Sequence, residues 1–156
     1  HVADEIQVNS RSSEEEHQFH GIKDTLTVYK DNRHFWENNR YIRAAGARGS
    51  FSYQMKTLSG ARQQFLSVQY WGASENADFD ILVNGRVIAA EQIGNTHPLC
   101  FFTKNYAVPA GIFRPGEEVR VAFRARKEQN KDATVGAIVA LRIGTRSFMN
   151  KPYLFY

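Results

Sequence analysis

About eight stretches of this chain alternate polar and apolar residues with a period of two, and none carries a convincing 3.6-residue amphipathic stripe. A period of two puts every second side chain on one face of an extended strand, so each stretch has a face to bury. Thr25-Leu26-Thr27-Val28-Tyr29 alternates in this way, and Ser50 to Met55 places Phe51, Tyr53 and Met55 together. Gln64 to Trp71 sets Leu66, Val68 and Tyr70 on one face, against Phe65, Ser67, Gln69 and Trp71 on the other. Phe79, Ile81 and Val83 share a face. Asn84-Gly85 then signals a two-residue hairpin, with Arg86 to Ile93 as the return strand. Phe101 to Val108, Glu118 to Ala125 and Ala137 to Ile143 complete the set, punctuated by Gly60, Gly111, Pro115-Gly116 and Gly144. Strands of this number and spacing predict an all-β fold, an antiparallel β-sandwich of jelly-roll type. Its expected core is Phe51, Tyr53, Leu66, Val68, Phe79, Ile81, Val83, Val121, Phe123 and Leu141.

Three regions follow from this pattern. Residues 1–21 are polar and acidic and read as a loosely packed leading segment, with one short strand and a helical turn capped by Ser13 and Glu16. Residues 22–144 form the sandwich domain. Residues 145–156 form an aromatic tail, expected to pack back on the domain or on a neighbouring one. Within the sandwich, residues 30–49 match no strand template and read as a long loop rich in Arg, Asn and aromatic residues.

The 156 residues suffice for one domain with a proper core. The formal charge is +4, but Lys and Arg are spread along the chain rather than gathered in a stripe, so no nucleic-acid partner is expected. No apolar run approaches the ~20 residues of a membrane span, so no membrane partner is expected either. Cys100 is the only cysteine, which rules out an internal disulfide and a cysteine-rich zinc site. It sits in the apolar stretch Leu99 to Phe102 and reads as a small buried hydrophobe. The start at His1, with neither an initiator Met nor a signal peptide, reads as a piece of a longer protein.

Catalytic signals are weak, and no nucleophile elbow, phosphate loop or HExxH zinc motif is present. Asp78 and Asp80 share a strand face roughly 7 Å apart, a separation some glycosidase carboxylate pairs have. They lie opposite Phe79, Ile81 and Val83, so they belong to the solvent face. His17 and His20 are spaced for a metal only on a helix, and their segment is not clearly helical. No cofactor is expected, although a structural calcium site of loop oxygens is compatible with the sequence.

The aromatic residues suggest another chemistry. Sugar rings present C–H faces that stack on Trp and Tyr, while Arg and Asn side chains take the hydroxyls. Trp36 and Tyr41, with Asn38 and Arg40 between them, form a candidate carbohydrate-binding set. Trp71 ends its strand beside Tyr70. One of the two should be core and the other partly exposed, with Trp71 as a structural rim residue whose N–H reaches Asp80 on the next strand.

Several motifs occur here in a fixed order: "SEEEHQFHG" at 13–21, "YIRAAGARGSFSYQM" at 41–55, "LSVQYWG" at 66–72, "FDILVNGRVIA" at 79–89, "YAVPAGIF" at 106–113, "VRVAFRAR" at 119–126 and "GAIVALRI" at 136–143. Together they resemble the C-terminal β-sandwich module of bacterial glycoside hydrolase family 127 proteins, the β-L-arabinofuranosidase-like group. Tyr53, Tyr70, Trp71, Gly72, Phe79, Asp80 and Gly85 carry most of the resemblance, which departs from the pattern over residues 22–40. In that family catalysis belongs to an upstream helical barrel with a cysteine-rich zinc site, and nothing here matches it. The resemblance therefore implies a non-catalytic accessory module of a larger exported enzyme, periplasmic or extracellular, partnered by an upstream catalytic domain and able to contact glycan. The alternative is an independent carbohydrate-binding module that recognises plant polysaccharide.

Overall fold

A computed structural model describes residues 1–8, 10–30, 39–72, 77–93, 101–126 and 131–146. Nine strands and one short helix run through them: β1 (Val2–Gln7), α1 (Arg11–Glu16), β2 (His20–Lys30), β3 (Asn39–Lys56), β4 (Gln64–Trp71), β5 (Ala77–Val83), β6 (Arg86–Ile93), β7 (Phe101–Val108), β8 (Glu118–Ala125) and β9 (Val135–Gly144). All the strand pairings between these elements are antiparallel. The lateral order is β6-β5-β8-β3-β9-β4-β7, with β1 added to β9 and β2 to β3.

β3 makes this one path into two layers. Its residues 50–56 pair with β8, while Arg43 and Ala45 pair with β9. The turn between the halves falls at Arg48, which has a positive φ of 62°, and at Gly49. A Cβ on Gly49 would lie 2.8 Å from both the Ala45 Cβ and the Gly46 carbonyl oxygen, so the strand folds over itself there only with glycine. A strand that changes sheets at such an irregularity is how a sandwich makes its corner. At the far side the edge strands β6 and β7 meet through Glu91, which accepts from Lys104 Nζ at 2.9 Å and from the Tyr106 hydroxyl at 2.9 Å.

All ten residues expected in the core are buried in one cluster. Tyr70 on β4 faces Phe79 on β5 across the layers at 6.1 Å, and Phe79 also meets Phe123 at 6.4 Å. The Asn84-Gly85 hairpin forms with both residues at positive φ. The Asn84 side chain accepts from the Arg120 N–H and donates to the Ile112 carbonyl.

The structure departs from the sequence reading in three places. The leading segment is not loosely packed: β1 pairs with β9, and Ile6 and Val8 are buried. Only those two strongly apolar side chains carry its alternation inward. The helix is capped by Ser10 rather than Ser13. The Ser10 hydroxyl accepts from Ser13 N, and the Ser13 hydroxyl accepts from Gln7 N. Residues 39–49 are strand, not loop, because β3 begins at Asn39. The small residues Ala44, Ala45, Gly46 and Ala47 hide its period. Residues 147–156 of the tail, and Cys100, lie outside the described residues.

Candidate functional site

The sequence places an acidic run next to a short helix. The fold turns one member of that run inward: Glu14 on α1 is buried while Glu15 and Glu16 are exposed. Its carboxylate accepts two hydrogen bonds from Arg43 on β3, from Nε at 2.8 Å and Nη2 at 2.9 Å, and a third from the Tyr53 hydroxyl at 2.5 Å. Arg43 Nη1 donates to Asp24 on β2. The guanidinium lies over the Phe19 ring, 3.9 Å from its centroid. Burial opposes the Arg43 charge, but the bonds to Glu14 and the fields of Glu14 and Asp24 outweigh it and raise its pKa. Gly21 makes room for this cluster. A Cβ there would sit 2.0 Å from Asp24 Oδ1 and 2.8 Å from Phe19 Cζ.

Above the cluster opens a cavity of about 620 Å³. Glu14 and Arg43 form its floor. Val8, Phe19, Leu26 and Tyr41 supply apolar walls, and Arg11, Glu15 and Gln18 supply polar groups from α1 and the turn after it. Strand geometry explains the grouping. Tyr41 and Arg43 are two apart on β3, and Leu26 on β2 is the register partner of Arg43, so all three share a face. Tyr41 is 38% exposed, a ring half in and half out of the cavity.

His17 fastens this wall to the sheet. Its Nδ1 faces the Ser13 carbonyl at 2.5 Å and its Nε2 faces Asp4 Oδ1 at 2.7 Å, while Asp4 Oδ2 accepts from Lys56 N at 2.8 Å. Burial disfavours the imidazolium. The Asp4 carboxylate, the Ser13 carbonyl and the nearby Glu16 outweigh it, so the pKa is raised. A raised pKa gives stability that is complete below the unfolded value of about 6.5 and is lost as pH rises through the folded value. The melting temperature of the parent should therefore fall more steeply between about pH 6 and pH 9 than that of His17→Gln. Parallel melting curves for the two proteins would show that His17 is not the titrating group.

The other residues singled out in the sequence are scattered. Arg40 lies on β3 opposite Tyr29, and Trp36 and Asn38 lie outside the described residues. Trp71 is only 2% exposed, although the sequence reading leaves one of Tyr70 and Trp71 partly exposed; both are buried. Its indole packs 4.7 Å from Phe101, in a second cluster with Ala137 and Val139. Trp71 and Asp80 are not strand neighbours as expected, because β4 is flanked by β9 and β7 and β5 by β6 and β8. Asp80 instead meets Arg124 at 3.3 Å and Arg126 at 3.4 Å, and Arg126 also reaches Asp78.

Among the described residues no three His, Cys, Asp or Glu side chains are grouped to hold a metal ion. The Glu14 and Asp24 carboxylates already hold the Arg43 guanidinium between them. Glu14, Asp24 and Phe19 were not legible as site residues. In sequence, Glu14 is indistinguishable from the two glutamates that follow it.

A family model described as "Family of unknown function (DUF6805)" matches residues 1–143. No curated protein matches the sequence. Among solved structures, the chain is similar to a family 35 carbohydrate binding module from Clostridium thermocellum, with TM-score 0.63 and 10% identity, over 92% of this chain and 98% of that one. It is similar to the carbohydrate binding module CBM6cm-2 from Cellvibrio mixtus lichenase 5A in complex with cellotriose, with TM-score 0.55 and 12% identity, over 94% of this chain and 100% of that one. It also matches part of the Podospora anserina GH26-CBM35 β-(1,4)-mannanase, with TM-score 0.57 and 10% identity, over 94% of this chain and 28% of that one. The β-sandwich described above is thus a fold that carbohydrate-binding modules share.

Proposed function

We propose that this chain, which belongs to the family of unknown function DUF6805, is a non-catalytic carbohydrate-binding module that takes a sugar chain at the α1–β2–β3 cavity. One observation carries the reading. The half-exposed Tyr41 ring stands with Phe19 and Leu26 against the polar groups of Arg11, Glu15 and Gln18, in a cavity of about 620 Å³. That volume is within the range of small-molecule sites, and such a mix of apolar faces and a few polar groups suits a sugar ring. Trp36, Asn38 and Arg40 are kept in this proposal as sugar-contacting residues on the sequence argument alone.

The module serves a larger exported carbohydrate-active enzyme, with an upstream catalytic domain of the same polypeptide as its partner. The mannanase similarity supports that arrangement, because there the matched region is a minor part of a longer enzyme chain. The sequence resemblance supports an arabinofuranosidase-like parent in the periplasm or outside the cell. Trp71 and Asp80 are assigned structural roles, in the second apolar cluster and in the Arg124–Arg126 ion pairs.

Tyr41→Ala tests the site. The variant should bind soluble plant polysaccharides at least ~10-fold more weakly in affinity electrophoresis, a loss of about 1.4 kcal/mol or more. Its melting temperature should stay within about 2 °C of the parent, as expected for a partly exposed side chain. Undiminished binding would remove the cavity from consideration.

A further inference from the structure

The charges around the cavity say which glycans it takes. Among the described residues that line it two are cations, and each is already engaged. Arg43 gives Nε and Nη2 to Glu14 and Nη1 to Asp24. Arg11 gives Nε to Glu15 at 2.9 Å. Against these two positive groups the lining sets two negative ones, Glu14 and Glu15, and Asp24 outside it also holds Arg43, so the lining offers an anion no net positive charge. The walls between floor and rim are Val8, Phe19, Leu26 and Tyr41, none of which can solvate a carboxylate.

We propose that this cavity selects neutral sugar chains and excludes uronic acids. The proposal rests on the reading of the cavity as a sugar site and adds the substrate class. A uronate carboxylate entering between these walls would lose water beside an Arg43 committed to two carboxylates and an Arg11 shared with Glu15, a costly exchange for any charge. It would also face Glu14 through a weakly screening medium, where repulsion is stronger than in water. A neutral sugar meets neither cost. Its C–H face lies against Tyr41 and Phe19, and its hydroxyls turn to the rim. There Glu15 is the acceptor best placed to answer them. Its side chain is 67% exposed, and its bond to Arg11 uses Oε1, so Oε2 can accept from a hydroxyl while the pair stays in place. Gln18 supplies both an acceptor and a donor. Its backbone is held in place, with φ of 49° and its carbonyl accepting from Arg120 Nη1 at 2.8 Å.

Carboxyl reduction gives a direct test, because it turns the uronic acids of one polymer into neutral sugars and leaves the linkages alone. Native and carboxyl-reduced glucuronoxylan and pectin are compared in affinity electrophoresis. The runs use about 0.3 M salt, so that the positive charge of the whole protein is screened. The reduced polymers should bind at least ~10-fold more tightly, and Glu15→Gln should narrow the gap by relieving the rim charge. Glu118→Gln makes the same change in net charge at an exposed position on β8, and should leave the gap unchanged. Equal or tighter binding of the native polymers overturns the selectivity, as does a gap that Glu15→Gln and Glu118→Gln change alike. If neither form of any polymer binds, the sugar-site reading itself falls, and the selectivity with it.

Discussion

Arg43→Ala should destabilise the domain by about 3–5 kcal/mol, a large fraction of the stability of an ordinary domain. The loss comes less from the missing bonds than from what they leave behind. Glu14 is buried, and its carboxylate has Arg43 on both oxygens and Tyr53 on one of them. Removing the guanidinium strands that charge, and Asp24 with it, in a place water reaches poorly. Of the side-chain bonds that tie Glu14 to β3 only that of Tyr53 would remain, and the cavity wall formed by α1 would loosen. Urea denaturation measures the effect. The double variant Arg43→Met/Glu14→Gln separates the causes, since it removes the orphaned Glu14 charge and should recover part of the loss. A cost below ~1 kcal/mol for Arg43→Ala would mean that α1 is not held by this cluster, and the cavity would lose its fixed wall.

That cluster also marks where sequence reading stops. The strands Gln64–Trp71, Arg86–Ile93, Phe101–Val108 and Glu118–Ala125 were legible to the residue, because Leu66, Val68 and Tyr70, and Val119, Val121 and Phe123, mark one face of two of them, and Gly72, Gly94 and Pro109 follow three of the four. The first half of β3 was not legible. Alanine and glycine fill 44–47, and a strand that switches sheets at Arg48 and Gly49 has no single face to advertise. The leading segment's one short strand was expected, but its packing was not, because its partner, β9, lies at the other end of the chain. Tyr41 could be picked out as an aromatic residue among Arg and Asn. Its neighbours in the cavity could not, because Val8, Gln18 and Leu26 come together only once α1 folds over β2 and β3. A buried carboxylate announces itself through its partners, and those partners are 29 and 39 residues away.

Trp71→Ala should lower the melting temperature by roughly 6–20 °C, the equivalent of about 3–5 kcal/mol for the loss of a buried large aromatic side chain in a domain of this size. Period-two alternation sends Tyr70 into the main core and Trp71 to the other face of β4. There it packs on Phe101, its register partner, beside Ala137 and Val139. The next pair along the same face is Gln69 with Thr103. Both are buried, and among the described residues neither Gln69 Nε2 nor Thr103 Oγ1 has a hydrogen-bond partner. This sets the expected cost toward the lower end of the range. Water entering the space left by the indole can satisfy those two groups, offsetting part of the lost packing. Trp71→Leu should still cost less than Trp71→Ala, because it keeps apolar volume against Phe101. Calorimetry on the two variants, with polysaccharide binding measured alongside, distinguishes a structural Trp71 from a ligand platform. A Trp71→Ala protein that melts like the parent but no longer binds glycan would make this indole the platform, and would move the sugar site from the α1–β2–β3 cavity to the β4–β7 face.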